Sequence, residues 1–182
     1  MAQLLVERGA DPNVRTKNGS TPLHMAAMRG DKEVVQLLVE CGADPNVSNH
    51  AHNLGGGCTP LHLAARQGHK ETVQILIESG ADPNMVDNRG QRPLHLTVYS
   101  GCKDLALLLV ERGSDINLAD KDGKTPLHMA AIRGRKEVAQ LLIDRGAGLN
   151  LADKHGRTPL YLAAEQCYIL WLNSLLKSVR HG

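Results

Sequence analysis

The stretch DKDGKTPLHMAAIRGRKEVAQLLIDRGAGLNLA, residues 120–152, decides how the rest of the chain is read. Its short core, TPLH, recurs at Thr21, Thr59 and Thr125, with RPLH at Arg92 and TPLY at Thr158. The last three intervals are each 33 residues, whereas the interval from Thr21 to Thr59 is 38. Other marks keep the same phase. GADPN stands at Gly9, Gly42 and Gly80, GSDIN at Gly113, and GAGLN at Gly146. A fixed period of this length is the mark of a stacked repeat architecture.

Each unit reads as helix, turn, helix, loop. In STPLHMAAMRG, Thr21 suits the N-cap, where its hydroxyl can accept the N–H of His24. Pro22 suits the first helical position, which lacks an intrahelical partner in any case. Gly30 ends that short helix in the left-handed conformation. In DKEVVQLLVECG the apolar residues Val34, Val35, Leu37 and Leu38 fall on one helical face. The runs DNRG, DKDG and DKHG from Asp87, Asp120 and Asp153 are turn sequences. Helices this short are marginal alone in water. Stacked neighbours bury a continuous seam, so stability becomes a sum of unit and interface terms.

The 33-residue unit resembles an ankyrin repeat position for position, and the resemblance covers nearly the whole chain. It implies an all-α solenoid of stacked helix–turn–helix units with β-hairpin fingers projecting from one side. One array over 1–182 is expected: a partial repeat at 1–15, a repeat at 16–53 with a five-residue finger insertion, repeats at 54–86, 87–119 and 120–152, and a degenerate capping repeat at 153–182. The resemblance also assigns His24, His62, His95 and His128, with the neighbouring Thr, to a structural hydrogen-bond network.

Two ends depart from the pattern. MAQLLVERG at the start matches VAQLLIDRG from Val138, so the chain opens inside a unit and reads as part of a longer array. At the other end Tyr161 replaces the histidine, Cys167 replaces the turn glycine, and Trp171 is the only tryptophan. A capping repeat closed by large rings is the expectation, and a partner-docking helix the alternative.

The segment NVSNHAHNLGGGCTPLH, residues 46–62, holds the extra residues. His50, His52 and Cys58 invite a zinc reading, but a structural zinc site needs four N or S ligands in a tetrahedron and the spacing is sparse. The Gly run lacks the GK[ST] ending of a phosphate loop. A lengthened finger with a Gly-rich tip fits better.

Composition narrows the functional classes. The net charge is +2 with histidines neutral, there is no Phe, and the four cysteines form no CxxC pair. The expectation is a reducing, intracellular setting, cytoplasmic or nuclear. No run approaches the roughly 20 apolar residues of a membrane span. No nucleophile, base and orienter meet the geometric requirements of catalysis. Neither an enzyme nor a cofactor is expected.

Binding is then the expected activity, and the resemblance places it on the concave face formed by fingers and first helices. The first full unit offers Lys17, Met28 and Arg29 there, and the next offers Cys58, Arg66 and Gln67. The third offers Arg89, Gln91 and Tyr99, and the fourth Lys121, Lys124, Ile132 and Arg133. The last offers Lys154 and Arg157. Asp122 and Glu165 are the acids on this surface, and the turn aspartates 87, 120 and 153 lie nearby and offset part of the charge. The second helices carry the balancing acids, so a nearly neutral chain is expected to carry a basic inner face. Such a face steers acidic partners. The reading is a non-catalytic scaffold, monomeric unless part of a larger chain, that binds another protein with an acidic segment. Tyr99 and Met28 are its expected apolar anchors. Nucleic-acid binding by the same face, or a passive spacer role, are the alternatives.

Overall fold

A computed structural model of the chain describes residues 2–50 and 56–166. Its helices are α1 (Ala2–Glu7), α2 (Pro22–Arg29), α3 (Lys32–Glu40), α4 (Pro60–Gln67), α5 (Lys70–Glu78), α6 (Pro93–Ser100), α7 (Lys103–Glu111), α8 (Pro126–Arg133) and α9 (Lys136–Asp144). Residues 159–166 are helical and begin α10. The expectations at His52, Cys167 and Trp171 lie outside the described residues.

The helices form two layers. α2, α4, α6 and α8 stack in one, and α3, α5, α7 and α9 in the other. The inner helices have proline at the first position and end at Gly30, Gly68, Gly101 and Gly134, all with positive φ. The core repeats with the sequence. Leu23, Leu61, Leu94 and Leu127 are buried one per unit, as are Leu38, Leu76, Leu109 and Leu142. Alanines at 26, 27, 64 and 65 let the inner helices approach closely. Each buried Leu contributes about 1.5–3 kcal/mol, and every layer shares its share with the next. Val35 and Leu38 sit at the centre of the α3 seam, flanked by half-buried Val34 and Leu37.

Three series of hydrogen bonds tie neighbouring units. The first runs through the histidines. The N-cap amides of Thr21, Thr59, Arg92 and Thr125 donate to Nδ1 of His24, His62, His95 and His128 at 3.1–3.2 Å. Nδ1 is therefore the acceptor, which leaves Nε2–H to donate to the next finger. It does so, to the carbonyls of Cys58, Gln91, Lys124 and Arg157 at 3.0–3.1 Å. Thr59 and Thr125 also accept the histidine amide on their hydroxyls. Thr21 does not act as expected: the amide of His24 goes to the Thr21 carbonyl at 3.1 Å, and the Thr21 hydroxyl lies 2.9 Å from Nδ1.

The second series joins the fingers. These are tight turns such as Asp87 to Gln91, closed by the Asp87 amide on the Gln91 carbonyl at 2.9 Å. None is long enough to register as a strand among the described residues. Neighbouring fingers are linked by single backbone bonds: His50 to Asn18, Asn88 to Gly56, Lys121 to Arg89 and Lys154 to Asp122.

The third series is an asparagine ladder along the loops. Asn46 donates to the Gly80 carbonyl at 2.9 Å and accepts from the Asp82 amide at 2.8 Å. Asn13, Asn84 and Asn117 do the same toward their following units. These are the asparagines that end each GADPN or GSDIN motif.

Candidate protein-interaction surface

The finger with the extra residues keeps the register of its neighbours. The Asn49 amide donates to the Cys58 carbonyl at 3.0 Å, and the Asn49 side chain accepts from the Cys58 amide at 3.2 Å. Asn49 thus stands where Asp87 stands, and Cys58 where Gln91 stands. Five residues more separate the first pair than the second, so the insertion lies within 50–57. Gly57 has φ +72°, and a Cβ there would come within 2.6 Å of Asn88 Oδ1. Only glycine fits against the next finger.

This placement corrects the reading of Cys58 as an exposed ligand or contact. The residue is 2% exposed, and burial pushes its thiol up to about 11. At neutral pH it is a protonated packing side chain. No group of three or more His, Cys, Asp or Glu suited to a metal occurs among the described residues.

The finger aspartates hold their turns from beneath. Asp87 Oδ1 accepts from the Arg89 and Gln91 amides at 2.8 Å, and Asp120 and Asp153 repeat the pattern. Burial raises the Asp87 carboxyl above its usual value, opposed by those amides. At Asp153 desolvation also works against the charge. Hydrogen bonds from Arg157 and from the His155 amide outweigh it and hold the carboxyl at about 2.

Gln91 is a second correction. It is buried, with its amide on Asp87, its carbonyl taking the His62 proton and its side chain toward Asp120. Its polar groups are used by the scaffold, so it is no free contact residue. Tyr99 is a third. Arg66 from the preceding unit lies over its ring at 4.9 Å, and Arg133 from the following unit at 3.8 Å. Two guanidiniums lie over the ring, so it is not open as an apolar anchor.

The other candidates keep to one side of the array. Lys17, Arg29, Gln67, Arg89, Lys121, Arg133 and Lys154 are exposed, and Met28, Arg66 and Ile132 half-buried. Lys124 pairs with Asp122 at 3.1 Å, and Arg157 with Asp153 at 2.9 Å and Glu165 at 4.0 Å. Lys17, Arg29, Arg66, Arg89, Lys121, Arg133 and Lys154 have no carboxylate within 4 Å among the described residues. A pocket of about 400 Å³ opens between the third and fourth fingers, lined by Arg89, Lys121, Lys124, Tyr99 and Met129 together with Asp120 and Asp122.

His69 stands at a histidine position common in ankyrin repeats, but the capping bonds made by it and by Arg135 escaped the sequence reading. His69 Nε2 reaches the Met28 carbonyl at 3.2 Å, and Arg135 reaches the Val98 and Tyr99 carbonyls at 3.1 and 3.0 Å. Both follow the turn glycine and cap the inner helix of the unit before. Their shared phase was the signal available.

A scan of known protein families matches ankyrin repeats in three copies, over residues 1–87, 42–120 and 94–181. The chain belongs to the ankyrin repeat family. A search of curated proteins returns no match. Ankyrin repeats are in general protein–protein interaction modules and typically non-catalytic. In this ankyrin array no helix among the described residues is long and apolar enough to cross a membrane.

Proposed function

We propose that the array is a non-catalytic scaffold that binds an acidic segment of another protein through its fingers and inner helices. The carrying observation is the set of seven cations without a carboxylate partner among the described residues, three of them arginines gathered around Tyr99 and the adjoining pocket. The acids among the fingers are engaged: Asp87 and Asp120 hold their turns, Asp122 pairs with Lys124, and Asp153 and Glu165 pair with Arg157. On the outer helices Glu78 and Glu111 pair with Arg112 and Arg145. Charge segregation of this kind accelerates encounter with an acidic partner and fixes its orientation. A cytoplasmic or nuclear partner fits the reading.

The test is affinity capture from lysate, with and without nuclease, by the wild type and by the Arg66→Glu, Arg89→Glu, Arg133→Glu variant. A protein held by the wild type, resistant to nuclease and lost from a variant of unchanged helical content is the expected result. Capture retained by the variant would remove this surface from consideration. Capture abolished by nuclease would install nucleic acid in its place.

A further inference from the structure

We infer that Arg66, Tyr99 and Arg133 form a clamp for two carboxylates spaced two residues apart in an extended partner segment. The inference rests on the interaction surface proposed above and names the motif it would take.

The three side chains come from three successive units. Tyr99 lies on α6, Arg66 on α4 before it and Arg133 on α8 after it. A guanidinium stacked on a ring is fixed in its plane. Its N–H edge stays free to point outward, where it matches a carboxylate bidentately. Neither guanidinium has a carboxylate within 4 Å among the described residues, so each keeps unpaired donors on the open side. Tyr99 therefore sets the position of the two positive charges while adding no charge of its own.

The spacing selects the ligand. The two ring-to-guanidinium distances together cap the separation of the charges at about 9 Å. Arg66 and Arg133 reach the ring from the units before and after it, so a ligand with two separated charges can engage both. In an extended segment, side chains two residues apart share a face and lie roughly 7 Å apart. Glu-x-Glu or Asp-x-Asp therefore meets both guanidiniums, whereas adjacent acids point to opposite faces. The neighbouring pocket with Arg89, Lys121 and Met129 lies beside the clamp and would take the next residues of the same strand. A single-stranded nucleic acid carries charges at a comparable spacing but also needs an open ring for its bases. The Tyr99 ring already has two guanidiniums over it.

The experiment titrates the full chain with short Gly/Ser peptides of equal charge carrying Glu-x-Glu, Glu-Glu or Glu-x-x-Glu. The Arg Nε–H signals are followed by nuclear magnetic resonance. A thymidine oligonucleotide forms a fourth arm. Glu-x-Glu should move the Arg66 and Arg133 signals together and bind about fivefold more tightly than the other two peptides. Tyr99→Leu, which keeps apolar bulk but releases the stack, should bring the three peptides within about twofold of one another. Lys136→Gln, on the outer helix α9, should leave the preference intact. Equal affinity for all spacings, movement of only one arginine, or an equal response to the oligonucleotide would overturn the clamp. Should the peptides fail while the triple Glu variant still loses its captured protein, the clamp falls and the surface stands.

Discussion

At Arg92 the repeating hydroxyl is replaced by a guanidinium, and the replacement is poorly compensated. The Arg92 amide still reaches His95 Nδ1 at 3.2 Å, but no hydroxyl supports that ring as Thr59 and Thr125 do in their units. The guanidinium makes one long contact, Nη1 to the Ala119 carbonyl at 3.5 Å, and its Nε is buried without a partner. A buried donor left unpaired costs about 1–3 kcal/mol, and a Thr cap contributes about 1 kcal/mol. Arg92→Thr should therefore raise the thermal midpoint by a few degrees, as read by the circular dichroism of the helices. An unchanged or lower midpoint would mean that the aliphatic stem of Arg92 packs more favourably than these terms allow.

The loops show the same logic at the level of an element. Asn84 bridges two units, donating to the Gly113 carbonyl at 3.0 Å and accepting from the Asp115 amide at 3.1 Å. Both groups are at the surface, where water substitutes in part. Asn84→Ala should cost about 1 kcal/mol in urea unfolding, and an effect near zero would show that water replaces the bridge fully. This ladder also marks where sequence reading stopped. The helices were legible because proline, glycine and the apolar period act within one unit: Pro60, Gly68 and Leu61 each do their work locally. Asn84 acts on residues 29 and 31 positions away, so within its own unit it looks like a loop residue. Cys58 misled for the opposite reason. Beside three glycines it stood out as chemistry, and only its pairing with Asn49 revealed the ordinary finger position. The candidate surface was legible in its phase, since the side chains alternate as the repeat dictates. Which of them were already spent on the scaffold depends on geometry: Gln91 is used by His62 of the preceding unit, and Arg157 folds back onto Asp153 of its own finger.

For the molecule as a whole, the histidine series links every inner helix to the following finger, and so makes the stack acid-sensitive. Burial lowers His24 and takes His62 and His95 down to about 4 from an ordinary 6.5. Each must stay neutral while folded, because Nδ1 accepts an amide proton and a second ring proton would displace it. The unfolded chain binds these protons first as the pH falls. The stability these groups supply is thus complete above pH 6.5 and is lost as the pH falls toward about 4. Each neutral histidine in that window contributes a slope of about 1.4 kcal/mol per pH unit. The carboxylates do not imitate this. Asp153, held at about 2, loses its contribution only below its unfolded value of 3.8, and Asp87, raised by burial, favours the fold when protonated. Urea midpoints measured from pH 7.5 to pH 4.5 should therefore fall with a slope of at least two protons. His62→Gln should be less stable throughout yet shallower by about one proton, because the slope and not the absolute stability reports the titration. A slope unaltered by that substitution would assign the acid loss to other groups and leave the histidines as neutral struts with no part in it.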